Sequence, residues 1–219
     1  SEGLSEQELQ EMLKALANHN QAQNMACFLG GGSYNRFIPM AVNTVASRSE
    51  FYTAYTPYQP EVSQGTLQVT YEFQSMIAEL TGMDVANASV YDGGNAVSEA
   101  AFMAVRATKR KHLFVAASVH PQYRQILETY VWGLGQVTIQ TFDLAKEPNF
   151  FDGVSQEVKD NTAGVIIQQP TYFGTIEETQ AIQGFCQEIG ALFIVSADPT
   201  SLGLLKPPGN YGADIVVGD

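Results

Sequence analysis

Short apolar blocks recur through the second half of the chain, separated by segments of mixed polarity. The blocks predict strands at His112–Ala117, Gln136–Gln140, Gly164–Gln168, Leu192–Ser196 and Asp214–Val217. The intervening segments favour helices at Tyr123–Val131, Phe151–Lys159 and Thr179–Ile189. Strands that are apolar on both faces and alternate with helices are typical of βαβ units with a parallel sheet. We therefore predict a three-layer α/β fold with a mainly parallel sheet and helices on both faces.

Two further helices are predicted in the first half of the chain. Ser5-Glu-Gln-Glu8 has the pattern of a capping box, and the apolar residues after it recur at helical spacing, so a helix should run from Ser5 to Asn18. A second helix is predicted over Leu67–Leu80, with Gly82 as its left-handed C-terminal cap. Because the sequence shows no linker or low-complexity tract, we expect a single domain over 1–219 with an N-terminal helical arm over about 1–50.

Charge and composition narrow the classes of function. The formal net charge of −12 argues against nucleic-acid binding and against docking on an anionic membrane, both of which need clustered Lys and Arg. No long apolar run or charged leader is present, and Cys27 and Cys186 lie far apart outside any metal-binding spacing. We therefore expect a cytoplasmic protein with free thiols and no metal site.

A stiff, polar segment precedes the second predicted helix. Thr53–Gly65 contains Pro57 and Pro60, which restrict the backbone and exclude an ordinary helix. It also carries phenol, amide and carboxylate groups suited to a ligand or a partner, at Tyr55, Tyr58, Gln59, Glu61 and Gln64. The alternative is a connecting surface loop whose tyrosines cover the core.

Ligands of open α/β sheets collect at the carboxyl ends of the strands, where this sequence places three candidate groups. Gly93, Gly94 and Asn95 stand at a helix start that could receive an anion such as phosphate, although every helix has such an end. His120 follows a strand and could stack on an aromatic cofactor, or be an exposed loop histidine. Asp198 could meet a cationic partner, or be a turn aspartate before proline.

Several stretches resemble one known family. Tyr55–Gly65, Ala197–Leu205 and Gly212–Asp219 are similar to segments of the P protein of the glycine cleavage system, in its alpha subunit or N-terminal half, and Asn87–Gly94 and Val119–Arg124 also match. The resemblance implies the large domain of a fold-type-I pyridoxal-phosphate-dependent transferase. It further implies glycine decarboxylation, with transfer of the aminomethyl group to the lipoyl H protein, in an α2β2 assembly.

The lysine content bears on which subunit the chain represents. A fold-type-I enzyme needs a Schiff-base lysine after the strand-end aspartate, yet only Lys206 follows Asp198, and it lies in a turn too close to it. We therefore expect no catalytic residue in this chain, which we interpret as part of a longer alpha subunit. The resemblance implies that the beta subunit holds pyridoxal phosphate, with none bound covalently here.

In such a subunit the roles of the candidate residues divide. Gly93, Gly94, Asn95, His120 and Asp198 would be remnants of a cofactor site, whereas the Tyr55–Gly65 loop would reach the active site at the αβ interface, near glycine and the lipoyl arm. The isolated chain would be inactive and form a dimer or hetero-oligomer. Two alternatives remain open: a non-catalytic structural partner of the beta subunit, or another fold-type-I enzyme cut before its lysine, such as a cysteine desulfurase.

Overall fold

The computed structural model describes residues 3–32 and 34–219, which divide into two compact units, Ser1–Val45 and Ala46–Asp219. The first unit contains helix α1 (Glu6–Ala17), a 3-10 turn at Ala22–Asn24 and most of α2 (Met40–Ala46). The predicted capping box is confirmed, since the Glu8 backbone N–H donates to Ser5 Oγ and Glu8 Oε2 accepts from the Ser5 N–H at 2.9 Å. The assignment of a single domain over the whole chain stays a prediction.

The second unit is built on a parallel sheet, as predicted. Within the described residues its five strands lie in the order β2-β1-β3-β4-β5, with all neighbours parallel. Their bounds are β1 His112–Ala116, β2 Thr138–Phe142, β3 Thr162–Gln169, β4 Leu192–Ala197 and β5 Ile215–Val217. Each side chain of β1 is buried, so the sheet centre is covered on both faces.

The second unit also contains helices, some of which pack on the faces of this sheet. Their bounds are α3 Ser49–Tyr52, α4 Gln64–Thr81, α5 Gly93–Thr108, α6 Pro121–Leu134, α7 Gln156–Asn161 and α8 Thr179–Ile189. Helix α5 approaches one face closely, because a Cβ atom on Gly164 of β3 would lie 3.2 Å from the Cβ of Ala104. On the other face, Phe185 of α8 packs against Phe114 of β1. The fold class predicted from the sequence is therefore confirmed.

Several element boundaries predicted from the sequence differ from those of the structure. The predicted helix Phe151–Lys159 is a 3-10 turn, Phe150–Gly153, followed by the short helix α7, which Ser155 caps. The break occurs because the rings of Phe150 and Phe151 pack edge-on against Phe114, at centroid distances of 5.6 and 6.1 Å. Strand β2 begins two residues later than predicted, after Gly135 ends α6 in the left-handed conformation.

The two cysteines have free thiols in different surroundings. Cys27 is exposed, whereas burial raises the pKa of the Cys186 thiol to about 12. Within the described ranges, no cluster of His, Cys, Asp and Glu is arranged to hold a metal ion. In the same ranges no helix combines the length and the apolar character needed to cross a bilayer.

Candidate active site

The candidate site lies where the strand order reverses. From β1 the chain crosses through α6 to β2 on one side, whereas β3 lies on the other side of β1 and leads to β4 and β5. The carboxyl ends of strands at such a switch point leave a crevice that binds ligands in open α/β sheets. A functional site is therefore expected among the residues that follow β1 and β3.

His120, predicted as a stacking histidine, lies at this point and is half-buried. Its backbone N–H donates to Gln168 Oε1 at 2.8 Å, and its Nδ1 accepts from the Gln122 N–H at 3.2 Å. The ring proton of the neutral form therefore belongs on Nε2. The His120 ring stacks on Tyr123 with centroids 4.7 Å apart and meets Tyr172 edge-on at 4.8 Å. It is not the exposed loop histidine of the alternative interpretation.

Two consecutive glutamines at the end of β3 hold the loops around His120. While Gln168 binds the His120 backbone, Gln169 Oε1 accepts from the Glu177 N–H at 3.0 Å and the Gln169 carbonyl accepts from the Asp198 N–H at 3.2 Å. The Glu177 carboxylate in turn accepts a hydrogen bond from Ser118 Oγ. The end of β3 thus joins the loops that follow β1 and β4 into one edge.

Asp198 lies at this edge, half-buried, directly after β4. Its Oδ1 accepts from the Thr200 N–H at 3.0 Å and so caps the 3-10 turn Pro199–Gly203. This contact corresponds to the turn aspartate that the sequence left open as an alternative. A role opposite a cationic group stays a prediction.

Gly93, Gly94 and Asn95 form the first turn of α5, as predicted, and both glycines are buried. The residue before them, Asp92, is the N-cap: its Oδ1 accepts from the Asn95 N–H at 2.7 Å and from Asn95 Nδ2 at 2.9 Å. These hydrogen bonds hold the pKa of the Asp92 carboxyl below its usual value. A carboxylate of the chain itself, that of Asp92, therefore already lies at the N-terminal start of α5.

A second carboxylate lies beside the same turn. Tyr123 donates its hydroxyl to Asp219 Oδ2 at 2.7 Å, and a Cβ atom on Gly93 would lie 2.4 Å from Tyr123 Oη and 2.5 Å from Asp219 Oδ2. Only glycine fits beneath this pair. Sequence reasoning missed Tyr123, Asp219 and Gln168, for which no local signal exists, but Asp92 is a preferred N-cap type directly before a predicted helix start.

The tyrosine-bearing loop lies on the surface of the second unit. The exposed fractions of Tyr55 and Tyr58 are 82% and 78%, and their rings meet edge-on at 6.3 Å. Gln59 and Glu61 are also exposed, and Gln64 is the first residue of α4 rather than part of the loop. The tyrosines therefore do not cover the core, and a binding role for the loop stays a prediction.

Comparison with known proteins identifies the family. The family model for the glycine cleavage system P-protein matches residues 1–219. This chain belongs to that family. It is 53% identical over its whole length to glycine dehydrogenase (decarboxylating) subunit 1 of Chloroherpeton thalassium, and 49% identical over 99% of its length to that of Chlorobium phaeobacteroides. The chain spans about half the length of these relatives, 49% in both cases.

Solved structures agree with this assignment. The chain is similar to a crystal structure of glycine decarboxylase (P-protein) in inhibitor-bound form, with a TM-score of 0.86 and 44% identity over all of this chain and 49% of that one. An O-acetylhomoserine (thiol)-lyase of Campylobacter jejuni that carries a pyridoxyl-lysine phosphate matches 76% of this chain and 43% of its own, at 12% identity and a TM-score of 0.55. That likeness shows the fold alone, which is that of pyridoxal-phosphate-dependent enzymes.

The carboxyl edge of this chain does not fit pyridoxal phosphate. A phosphate at the start of α5 would meet the carboxylates of Asp92 and Asp219, and like charges at short range repel. The stacked Tyr123 ring lies on His120, the residue predicted to stack on a cofactor. The side chains of Tyr123 and Asp219 therefore take up the space on the His120 ring and beside Gly93.

Proposed function

We propose that this chain is part of subunit 1 of a glycine dehydrogenase (decarboxylating), which decarboxylates glycine and passes the aminomethyl group to the lipoyl H protein. The observation that carries the proposal is the match of the whole chain to subunit 1 relatives at about 50% identity. Because the chain spans half of those relatives, the activity belongs to the complete assembly, which we propose to be a heterotetramer with a companion subunit. The chain alone would be inactive.

The companion subunit would hold the cofactor. Pyridoxal phosphate supplies the electron sink for loss of a carboxylate when it is bound. The edge of this chain at His120 and Gly93 does not fit that group, so we assign its binding to the companion. This chain would then contribute an exposed surface to the companion's active site and would bind no cofactor at its own strand ends.

The surface we assign to this task is the loop that carries Tyr55, Tyr58, Gln59 and Glu61. Its side chains are exposed, while Pro57 and Pro60 limit how much conformational freedom the loop loses when it binds. Phenol and carboxylate groups can hydrogen-bond the amine of glycine or the amide of a lipoyl arm. We propose that this loop forms the entrance of the companion's active site.

The test is the glycine–bicarbonate exchange rate of the assembled enzyme. Tyr55→Phe combined with Glu61→Gln should lower this rate at least about tenfold, because the first change removes a hydroxyl and the second removes a negative charge from the entrance. Tyr71→Phe is the matched control, since Tyr71 is also an exposed tyrosine but lies on α4. An unchanged rate in the double variant would exclude the loop from the active site.

A second candidate function is that of a structural partner that completes the companion without contacting glycine. The observation that favours it is the filled edge at Gly93. The same experiment separates the two functions: if the double variant assembles normally and keeps the full exchange rate, the role of this chain is structural.

Helix α4 is the surface we propose to bind the companion. None of its residues is buried, and an apolar stripe runs along it at helical spacing, formed by Val69, Phe73, Met76 and Leu80. The next row is polar and consists of Gln68, Glu72, Ser75 and Glu79. Since α4 begins where the tyrosine loop ends, a subunit that receives the loop also lies next to this helix. We therefore propose that the companion covers the stripe.

A further inference from the structure

Tyr123 and Asp219 fill the space above the first turn of α5 by means of two separate contacts. Tyr123 lies on α6, three residues after His120, and stacks on the His120 ring at an interplanar angle of 25°. Its hydroxyl donates to Asp219, 96 residues away and just beyond β5. One side chain therefore links the loop after β1 to the end of β5 across the carboxyl edge.

The electrostatics of α5 make this filling favourable. The free N–H groups and the dipole at a helix start attract negative charge. Asp92 supplies one carboxylate as the N-cap, and the carboxylate of Asp219 lies beside Gly93. The chain thus provides both groups from its own residues. The Tyr123 ring lies on the histidine, and the Asp219 carboxylate lies at the helix start.

We propose that Tyr123 and Asp219 are a built-in substitute for an aromatic, anionic ligand, and that they keep this edge closed to one. The Tyr123 ring covers His120, and the Asp219 carboxylate takes the place of a phosphate at α5. This inference rests on the geometry of the chain alone and goes beyond the proposed function. It holds whether or not the chain serves in glycine decarboxylation.

The experiment opens the edge and measures binding. The double variant Tyr123→Ala/Asp219→Asn removes the ring and one negative charge. The probe is pyridoxamine 5′-phosphate, which has the aromatic ring and the phosphate but lacks the aldehyde that would react with surface lysines. By equilibrium dialysis with the complete subunit that contains this chain, we expect no saturable binding to the unmodified protein. The folded double variant should bind the probe saturably, at least about tenfold more tightly than the unmodified protein does.

Two further variants test whether the Tyr123 ring is the group that closes the edge. Tyr130→Ala is the matched control, because Tyr130 is also on α6 and donates to Asn95 Oδ1 at 2.6 Å, but its ring packs against Phe102. It should not gain binding. Tyr123→Phe keeps the ring on His120 and should also stay closed. Binding by either variant at the level of the double variant would overturn the assignment to the Tyr123 ring.

A measurement on the unmodified chain decides the matter even if the double variant does not fold. Amide NMR signals of Gly93, Gly94 and Asn95 should stay in place when inorganic phosphate or pyridoxamine 5′-phosphate is added. Saturable movement of these signals would overturn the proposal, as would a folded double variant that binds no probe. Unmoved signals in the chain with a filled edge support it.

Discussion

The side-chain oxygen of Gln168 accepts a hydrogen bond from the backbone N–H of His120 at 2.8 Å, and so joins the end of β3 to the loop that follows β1. The loop after β1 is held by this contact together with the hydrogen bond that the Ser118 carbonyl accepts from the Tyr172 N–H at 2.9 Å. Tyr123 stacks on the His120 ring and donates its hydroxyl hydrogen bond to Asp219. The Gln168 amide is therefore one of the contacts that support the arrangement at the carboxyl edge.

Replacing Gln168 tests this dependence. Gln168→Met keeps the size of the side chain but removes the acceptor, so the half-buried His120 N–H loses its partner, and the free energy of unfolding should fall by about 1–3 kcal/mol. Urea unfolding monitored by circular dichroism measures the change. Gln168→Glu is the control, because a carboxylate oxygen can still accept the bond. Equal stability of all three proteins would show that the contact does not matter.

Gly93→Ala should destabilise the protein. A Cβ atom would lie 2.4 Å from Tyr123 Oη and 2.5 Å from Asp219 Oδ2, so these groups must move, at a cost of about 1–3 kcal/mol. Gly133→Ala on α6 is the matched control: its Cβ would meet nothing within 4 Å, and the substitution should stabilise by up to about 1 kcal/mol. Thermal unfolding distinguishes the two.

A double-mutant cycle identifies the cause of the Gly93 effect. Tyr123→Phe removes the nearest atom, so it should offset part of the cost of Gly93→Ala when the two are combined. Strictly additive losses in the cycle would mean that the alanine is destabilising for another reason.

Stability should fall as the pH is lowered through the neutral range, in part because of His112. Burial lowers the pKa of this histidine below its ordinary value of 6.5, although a hydrogen bond with Gln140 opposes the effect. The unfolded chain then binds a proton more readily than the folded one, so the free energy of unfolding decreases as the pH falls below about 6.5. Thr162, which bonds the His112 ring, and Phe114, which packs on it, carry no charge to offset this.

The measurement is a series of urea unfolding curves between pH 8 and pH 5. The His112→Gln variant should lose this component of the pH dependence, and the difference between the two series removes the shared contribution of the carboxylates. His19→Gln is the control for the loss of an exposed histidine side chain. Parallel slopes for the unmodified protein and His112→Gln would contradict the prediction.

Tyr211→Phe should leave stability unchanged or raise it by up to about 1 kcal/mol. The Tyr211 hydroxyl is buried without a hydrogen-bond partner among the described residues, and burial raises its pKa to about 12. Tyr130→Phe provides the contrast, since that hydroxyl donates to Asn95, and its loss should lower the melting temperature. A clear loss of stability in Tyr211→Phe would reveal a partner for its hydroxyl.

The α4 interface is tested by assembly. Val69→Glu places a charge in the apolar stripe and should reduce copurification of the companion subunit at least about tenfold, because a buried unpaired charge is costly in an interface. Gln68→Glu adds the same charge in the adjacent polar row and should assemble normally. Equal recovery of the companion with both variants would place the interface elsewhere.

The sequence by itself determined the elements whose signals are local. Helix α8 has the predicted bounds, and the Ser5–Glu8 capping box forms as expected, because caps and helical periodicity involve residues a few positions apart. The buried strands were also predicted correctly, because strands that are buried on both faces appear in the sequence as continuous apolar blocks. The pattern likewise placed His120 and Asp198 after strands and Gly93 at a helix start.

Only the tertiary structure decided what these residues contact. Phe151 does not belong to the predicted helix, because it packs with Phe150 against the distant ring of Phe114. The strand order brought Asp219 to Tyr123 and so filled the edge that the glycine turn had suggested for a ligand. Such contacts join residues far apart in the chain, and no local pattern encodes them because their energy depends on which elements become neighbours after folding.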